Sequence, residues 1–146
     1  MRFLYVDSAM INLRVSAETL ECAIEAAMNV RINAYAPYSK FHVGAALVDA
    51  DGGIHVGCNV ENASYGLTNC AERAAVAAAT AAGRRDIVLC VVVTDTPTAA
   101  SPCGACRQVL SECNPTMDVL CTTPGRTDAW HRLDDLLPYA FGPDSF

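Results

Sequence analysis

The chain has a single lysine, Lys40, and only ten basic residues against sixteen acidic ones, for a formal net charge of −6. So little positive charge gives no electrostatic means of holding duplex DNA, a single-stranded nucleic acid or an anionic membrane surface. Long apolar runs are missing as well. The most apolar stretch, Ile87 to Val93, suits a buried strand and falls far short of the ~20 residues of a membrane-spanning helix. Nine glycines and seven prolines in 146 residues exclude fibrous and low-complexity chains. What is present is 52% apolar residues, enough for one domain, residues 1–146, with a real core. That fraction is high for so small a body, which implies an oligomer that hides part of its surface.

The opening MRFLYVDSAMINLRV is broken by Asp7, Asn12 and Arg14 before a signal-peptide core can form. The expectation is a cytoplasmic, reducing setting, in which eight cysteines need another explanation than disulfides. Residues 1–15 have no clear period and read as an irregular arm. Ser16 is placed to cap a helix, with Val15 and Leu20 as its staple and Leu20, Ala23, Ile24, Ala27 and Met28 as its apolar stripe. Glu18, Glu21 and Glu25 are its wet face, and Pro37 lies at or just beyond its end.

Phe41 to Val48 suits a strand thinned by Gly44 and two alanines, so that a neighbour can pack closely. Asp51-Gly52-Gly53 turns the chain into a returning strand, Ile54 to Val60. A helix is expected from about Cys70 to Ala82, behind Thr68 as its polar cap and stopped at Gly83. Ile87 to Val93 is the central strand. Ser101 and Pro102 open a second helix as cap and first residue, and Asn114-Pro115 closes it. Met117 to Thr122 is a further strand, and Trp130 to Leu137 a short strand, a short helix, or both. This order places helices on both faces of a central sheet, an α/β architecture.

The strongest chemical signal is PCGAC at 102–106. Cys103 and Cys106, three apart at a helix start, can turn both thiols to one point, and free N–H groups there favour thiolates. A second helix start near Cys70 can supply a third thiolate, leaving a fourth zinc position open as in catalytic sites. A redox CxxC and a closed four-cysteine zinc are the competing readings. Cys22, Cys58, Cys90 and Cys121 read as packing filler, and Cys113 points away from the N-terminal end of its helix. Glu72 reads either as a helix-start carboxylate paired with Arg73 or as a group aimed at the metal. Positions i and i+2 share no helix face, an objection that a metal just off the helix end relaxes. Three thiolates and Zn²⁺ sum to −1, an excess that Arg73 and Arg107 can offset by donating to the sulfurs.

Together, NCAER (69–73) and PCGACRQ (102–108) resemble the cytidine deaminase family, whose zinc signature is a His or Cys, one residue, a Glu, and later PCxxC. The resemblance extends to AYAPYSKFHVGAAL (34–47), NVENASY (59–65) and LLPYAFGP (136–143). Cys70 in the first ligand position resembles the small three-cysteine branch. The resemblance implies a three-layer α-β-α sandwich around a mixed sheet, assembled as a homotetramer with shared active sites. It implies one zinc per subunit on Cys70, Cys103 and Cys106, with Arg73 bonding the ligand sulfurs and Glu72 moving protons. It further implies that Asn59 and Glu61 hold the ribose 3′-hydroxyl, that Phe41 lines the base pocket, and that backbone near Ala71 and Ser101 reads the pyrimidine edge and leaving amine. Ala63, Tyr65 and Phe141 match positions contributed across subunit interfaces.

Taken singly, Asn59 and Glu61 would be a surface pair, Phe41 core filler and Phe141 a tail anchor; His42, His55, His131 and Asn62 stay structural. The sequence departs from the family pattern around 111–128, where Cys113 replaces a bulkier apolar residue. The implied activity is hydrolytic deamination of cytidine and 2′-deoxycytidine to the uridines, with release of ammonia. An aminated nucleoside antibiotic as substrate, as in the blasticidin deaminases, is the alternative within the same chemistry. A structural zinc module acting as a binding scaffold is the alternative outside it.

Overall fold

The computed structural model describes residues 3–6 and 9–146, with side chains described from residue 13 onward. Two short strands, β1 (Phe3–Val6) and β2 (Ala9–Asn12), pair antiparallel with each other. This replaces the irregular arm expected for residues 1–15: a main-chain ladder needs no apolar period to form. The helix α1 (Ala17–Arg31) begins as its sequence dictates, with the Ser16 hydroxyl accepting the Thr19 N–H at 3.0 Å. Leu20, Ala23, Ile24 and Ala27 are buried along one stripe.

After α1 come β3 (Val43–Asp49) and β4 (Ile54–Cys58), then α2 (Ala71–Ala81) and β5 (Ile87–Thr94). The chain continues with α3 (Gly104–Cys113), β6 (Asp118–Thr122), β7 (Ala129–Arg132) and a single turn, α4 (Leu133–Leu136). The tail expectation of strand or helix resolves as one of each. The sheet runs β4-β3-β5-β6-β7, with β5 and β6 parallel and the other neighbours antiparallel. It is therefore mixed, and strand alternation divides its side chains between two cores.

On one face Ala46, Val48, Leu89, Val91, Val93 and Leu120 pack against the α1 stripe. On the other, Ala45, Leu47, Cys90, Val92, Val119 and Cys121 meet Ala71, Ala75 and Ala79 of α2 and Leu110 of α3. The result is the three-layer α-β-α sandwich. Gly44 explains how closely the first layer sits, since a Cβ there would lie 2.0 Å from the Ala27 carbonyl oxygen. Cys90 and Cys121 are buried among apolar side chains, as filler should be, and burial with the nearby Glu72 pushes the Cys121 thiol up to about 12. All eight cysteines are free of disulfides. Among the described residues no helix is long and apolar enough to cross a membrane.

Candidate active site

Two helix N-termini meet beside the end of β5. The first turn of α2 lies directly on β4, because a Cβ on Gly57 would fall 2.3 Å from the Ala75 nitrogen and 2.5 Å from the Ala71 carbonyl oxygen. That close approach places Cys70, Ala71 and Glu72. Cys70 is the N-cap of α2, with extended backbone at φ −76° and ψ 156°. The expected cap, Thr68, does other work: its hydroxyl accepts the Asn62 N–H at 3.3 Å.

The start of α3 also differs from its expectation. Cys103, not Ser101, is the N-cap, and helical residues begin at Gly104. The Ser101 hydroxyl instead accepts from Arg107 at 2.9 Å. In both helices a cysteine thus occupies the position where a Ser or Asp oxygen would ordinarily bond the first N–H groups, and neither makes that bond. The free N–H groups and dipole of two helices are left facing the thiols, which favours their ionised forms.

The Sγ atoms of Cys70, Cys103 and Cys106 all lie within 4.8 Å of one another, and those of Cys70 and Cys103 are 3.8 Å apart. Sulfurs bound tetrahedrally at ~2.3 Å from one zinc stand roughly 3.8 Å apart, so the cluster fits that ion. Among the described residues no fourth His, Cys, Asp or Glu joins it. As free thiols, Cys70 and Cys106 share charge unequally. The Cys106 thiol donates to Cys70, Arg73 and Cys103 add their hydrogen bonds, and the Cys70 pKa falls to about 5. The same bond, with burial, pushes Cys106 up.

Glu72 is buried, 5% exposed, and reaches the cluster despite standing two residues after Cys70. The helical face rule does not govern the pair, because Cys70 is extended and only Ala71 onward is helical. Burial raises the Glu72 pKa above the usual carboxylate value, and the Cys70 charge raises it further. It makes no ion pair with Arg73. That guanidinium instead donates to the Thr68 carbonyl at 2.9 Å and to the Cys70 Sγ at 3.7 Å, and its own pKa rises through that sulfur. Arg107 does not contact the sulfurs; its donors go to the Pro102 carbonyl, the Leu136 carbonyl and Ser101.

A cavity of about 240 Å³ opens onto this cluster, below the ~300–1,000 Å³ usual for ligand pockets and suited to a small molecule. Its walls include Phe41, Asn59, Glu61, Cys70, Ala71, Glu72, Ser101 and Cys103. Asn59 is held rigidly: its carbonyl oxygen accepts from Val43 N at 2.8 Å and its amide donates to the Phe41 carbonyl at 2.7 Å. The Glu61 carboxylate accepts from Tyr38 N at 2.9 Å, from Ser39 N at 3.2 Å and from the Ser39 hydroxyl. The hydroxyl bond, followed by the two N–H bonds and Lys40, keeps Glu61 below the usual carboxylate range.

Three of the residues singled out in the sequence stand apart from this cavity. Ala63 is exposed. Tyr65 is 74% exposed and packs its ring against Tyr38 at 5.7 Å, and Phe141 is 65% exposed on the C-terminal tail. Conversely, Ser39 and Thr94 belong to the cavity wall without having been singled out. Ser39 lies inside the APYSKF segment, where its spacing from Glu61 gave no sign that the two would meet; Thr94 is the polar end of an apolar strand, the one mark that could have drawn notice.

Residues 17–123 match the family described as the cytidine and deoxycytidylate deaminase zinc-binding region. A cytidine deaminase of Sporosarcina psychrophila is 46% identical over 126 residues, 86% of this chain and 93% of that protein. One from Halalkalibacterium halodurans is 56% identical over 92 residues, 63% of this chain and 70% of that one. The crystal structure of cytidine deaminase from Burkholderia pseudomallei superposes with a TM-score of 0.80 at 52% identity, covering 83% of this chain and 98% of that one. With its three-thiol cluster and sandwich architecture, the chain belongs to the zinc-binding cytidine and deoxycytidylate deaminase family.

Proposed function

We propose that this chain deaminates cytidine and 2′-deoxycytidine hydrolytically, giving uridine and 2′-deoxyuridine with release of ammonia. One observation carries the reading: three thiols cluster at two helix N-termini, and the small cavity that opens onto two of them, Cys70 and Cys103, also takes in the buried Glu72 carboxylate. Cys70, Cys103 and Cys106 would hold one zinc, which when bound makes a water acidic enough to serve as nucleophile near neutral pH. Arg73, bonded to Cys70 Sγ, offsets the excess thiolate charge.

Glu72 is the proton carrier. Its carboxylate takes a proton from the attacking water and gives one to N3 of the pyrimidine, which makes C4 more electrophilic. It then takes the proton of the hydroxyl newly formed at C4 and passes it to the amine, so that the C4 carbonyl forms as ammonia leaves. A group acting as base and then acid works best with a pKa near the working pH, and the raised value of Glu72 is in that direction. Backbone of Ala71 and Ser101 would read the base edge, and Phe41 would cover the ring.

Glu61, kept anionic by its three donors, and Asn59 would hold the 3′-hydroxyl. This contact needs no 2′-hydroxyl, so both sugars fit, whereas a 5′-phosphate would be repelled where it approaches the Glu61 charge. Ala63, Tyr65 and Phe141 would complete neighbouring sites in a homotetramer of single-domain subunits, spanning residues 1–146 and working in the cytoplasm. The exposed rings of Tyr65 and Phe141 support that assignment.

A side-by-side kinetic comparison of cytidine, 2′-deoxycytidine, free cytosine and cytidine monophosphate, with metal analysis, tests the reading. Comparable efficiency on the two nucleosides and much lower efficiency on the others is expected. Equal efficiency on the nucleotide, or zinc on other ligands, would overturn it. For the assembly, mixing inactive Glu72→Gln subunits with Phe141→Ala subunits that are deficient alone should restore some activity, and mixed oligomers without recovery would confine Phe141 to its own subunit.

A further inference from the structure

The PCGACRQ segment ends in two residues that neither the thiol cluster nor the cavity uses. Arg107 stands one turn behind Cys103, and its guanidinium bonds three oxygens from separate places. Nε donates to the Pro102 carbonyl at 2.7 Å, Nη2 to the Ser101 hydroxyl at 2.9 Å, and Nη1 to the Leu136 carbonyl at 2.8 Å. Next to it, the Gln108 side-chain amide donates to the Phe141 carbonyl at 2.7 Å.

These acceptors lie on two structures that the cavity needs in fixed relation. Ser101 and Pro102 directly precede the ligand Cys103, and Ser101 is part of the cavity wall. Leu136 closes α4 and is the root of the tail that carries Tyr139 and Phe141. That tail has little else to hold it. Tyr139 is fully exposed, and the Phe141 ring faces Phe146 of the same segment at 6.0 Å. Among the described residues, the Gln108 bond is the one hydrogen bond joining residues 138–146 to the rest of the chain. A planar fork with five donors can span three acceptors at once, whereas an ammonium on a flexible stem cannot hold the same register.

We propose that Arg107 and Gln108 are positioning residues that fasten the C-terminal tail to the turn of α3 bearing Cys103 and Cys106. The cavity wall at Ser101 and the tail at Phe141 are thereby kept in one register. The kinetic side of this inference rests on the deaminase reading above; the structural side does not.

The test uses the zinc-loaded, full-length protein with Arg107→Lys, Gln108→Ala and the double variant. Chymotryptic cleavage at Tyr139 and Phe141 reads tail docking by mass spectrometry. Loss of a hydrogen bond from a charged or amide donor should speed that cleavage on the order of tenfold in Arg107→Lys and a few-fold in Gln108→Ala. KM for cytidine should rise by similar factors while kcat stays within about twofold, the pattern of lost positioning in ground and transition states alike. Because both residues act on one tether, the double variant should show less than the product of the single effects.

Cleavage and KM unchanged in both single variants would overturn the proposal. So would multiplicative effects in the double variant, or loss of zinc as the main defect of Arg107→Lys, which would assign that residue to the thiolate charge. Should Arg107→Lys fail to fold, Gln108→Ala alone decides whether the tail is fastened. If the wild-type protein does not turn over cytidine, the deaminase reading falls, and the cleavage measurement still decides the tether.

Discussion

Glu72 and Asp49 are carboxylates buried to nearly the same degree, 5% and 3% exposed, at opposite ends of β3. Glu72 lies by the end where Val43 pairs with Thr94, and Asp49 is at the end that pairs with Ile87. Their pKa values move in opposite directions. Burial alone would raise Asp49, but His55, the Gly53 and Asp51 N–H groups and Arg84 together bring it below its ordinary value. Two of those donors reach one oxygen at 3.0 and 2.9 Å, while His55 and Arg84 reach the other at 2.9 and 3.2 Å. Glu72 has burial, then the Cys70 thiolate, raising it; its own N–H, Cys106 and the Arg73 charge oppose them but do not prevail, and it rises. Low exposure alone therefore does not decide whether a carboxylate holds its proton; the balance of desolvation against donors and nearby charges does. Asp49 is satisfied and locks a hairpin, whereas Glu72 is left able to exchange a proton.

The largest break in this comparison comes from Glu72→Gln. The amide fills the same space but cannot accept and return a proton, so kcat for cytidine should fall by ~10²–10⁴ with zinc content unchanged. Stability at neutral pH should hold or improve, since a poorly partnered buried carboxylate is removed. Turnover above about a tenth of wild type in zinc-loaded protein would reject Glu72 as the carrier. Asp49→Asn should do the reverse, with kcat retained and about 1–3 kcal/mol of unfolding free energy lost, because donors are left facing an amide that can accept fewer bonds. Chemical denaturation of the zinc-loaded variants measures both.

The two residues should also differ in how stability follows pH. Asp49 has a folded pKa below its unfolded 3.8, so its stabilisation is present above pH 3.8 and is lost as pH falls through the folded value. The deficit of Asp49→Asn should therefore shrink in acid. Glu72 has a folded pKa above its unfolded 4.5, so its contribution is present below pH 4.5 and is lost as pH rises through the folded value. Wild type should lose stability relative to Glu72→Gln over that range. Parallel profiles for the two variants would contradict the assignment.

The local elements of the fold and of the thiol cluster are legible in the sequence, and the part that is not has a common cause. The Ser16 cap, the α1 stripe and the Cys103–Cys106 pair are local signals, carried by residues three or four apart. The departures involve partners distant along the chain. Ser101 has the residue type and the following proline of a helix cap, yet Arg107 takes its hydroxyl and Cys103 becomes the cap. Charge arithmetic sends Arg107 to the thiolates, but the Leu136 carbonyl, far along the chain, claims it. Asn59 and Glu61 alternate like an exposed strand pair; β4 ends at Cys58, and both side chains bond backbone of residues 38–43 instead. Asp49 gave no local sign of its role, because the turn that supplies its donors is also an ordinary hairpin turn.

The smallest expected effect separates the parts of the Asp49 cluster. Arg84 contacts Asp49 at 3.2 Å, but it also reaches the exposed Asp51 at 2.7 Å and Asp86 at 2.8 Å. Its guanidinium is partly in water, where ion pairs are screened and two long side chains must be held in one geometry. Removing it leaves Asp49 with both N–H donors and His55. Arg84→Ala should therefore cost far less than Asp49→Asn, and most of that small loss should vanish in 1 M salt. The Asp49→Asn deficit, arising from short buried bonds, should persist in the same salt. If Arg84→Ala matched Asp49→Asn in size, the guanidinium would be what holds that carboxylate ionised. The contrast with Glu72 would then reduce to whether a guanidinium pairs directly with the carboxylate, since Arg73 acts on Glu72 by its charge without forming an ion pair with it.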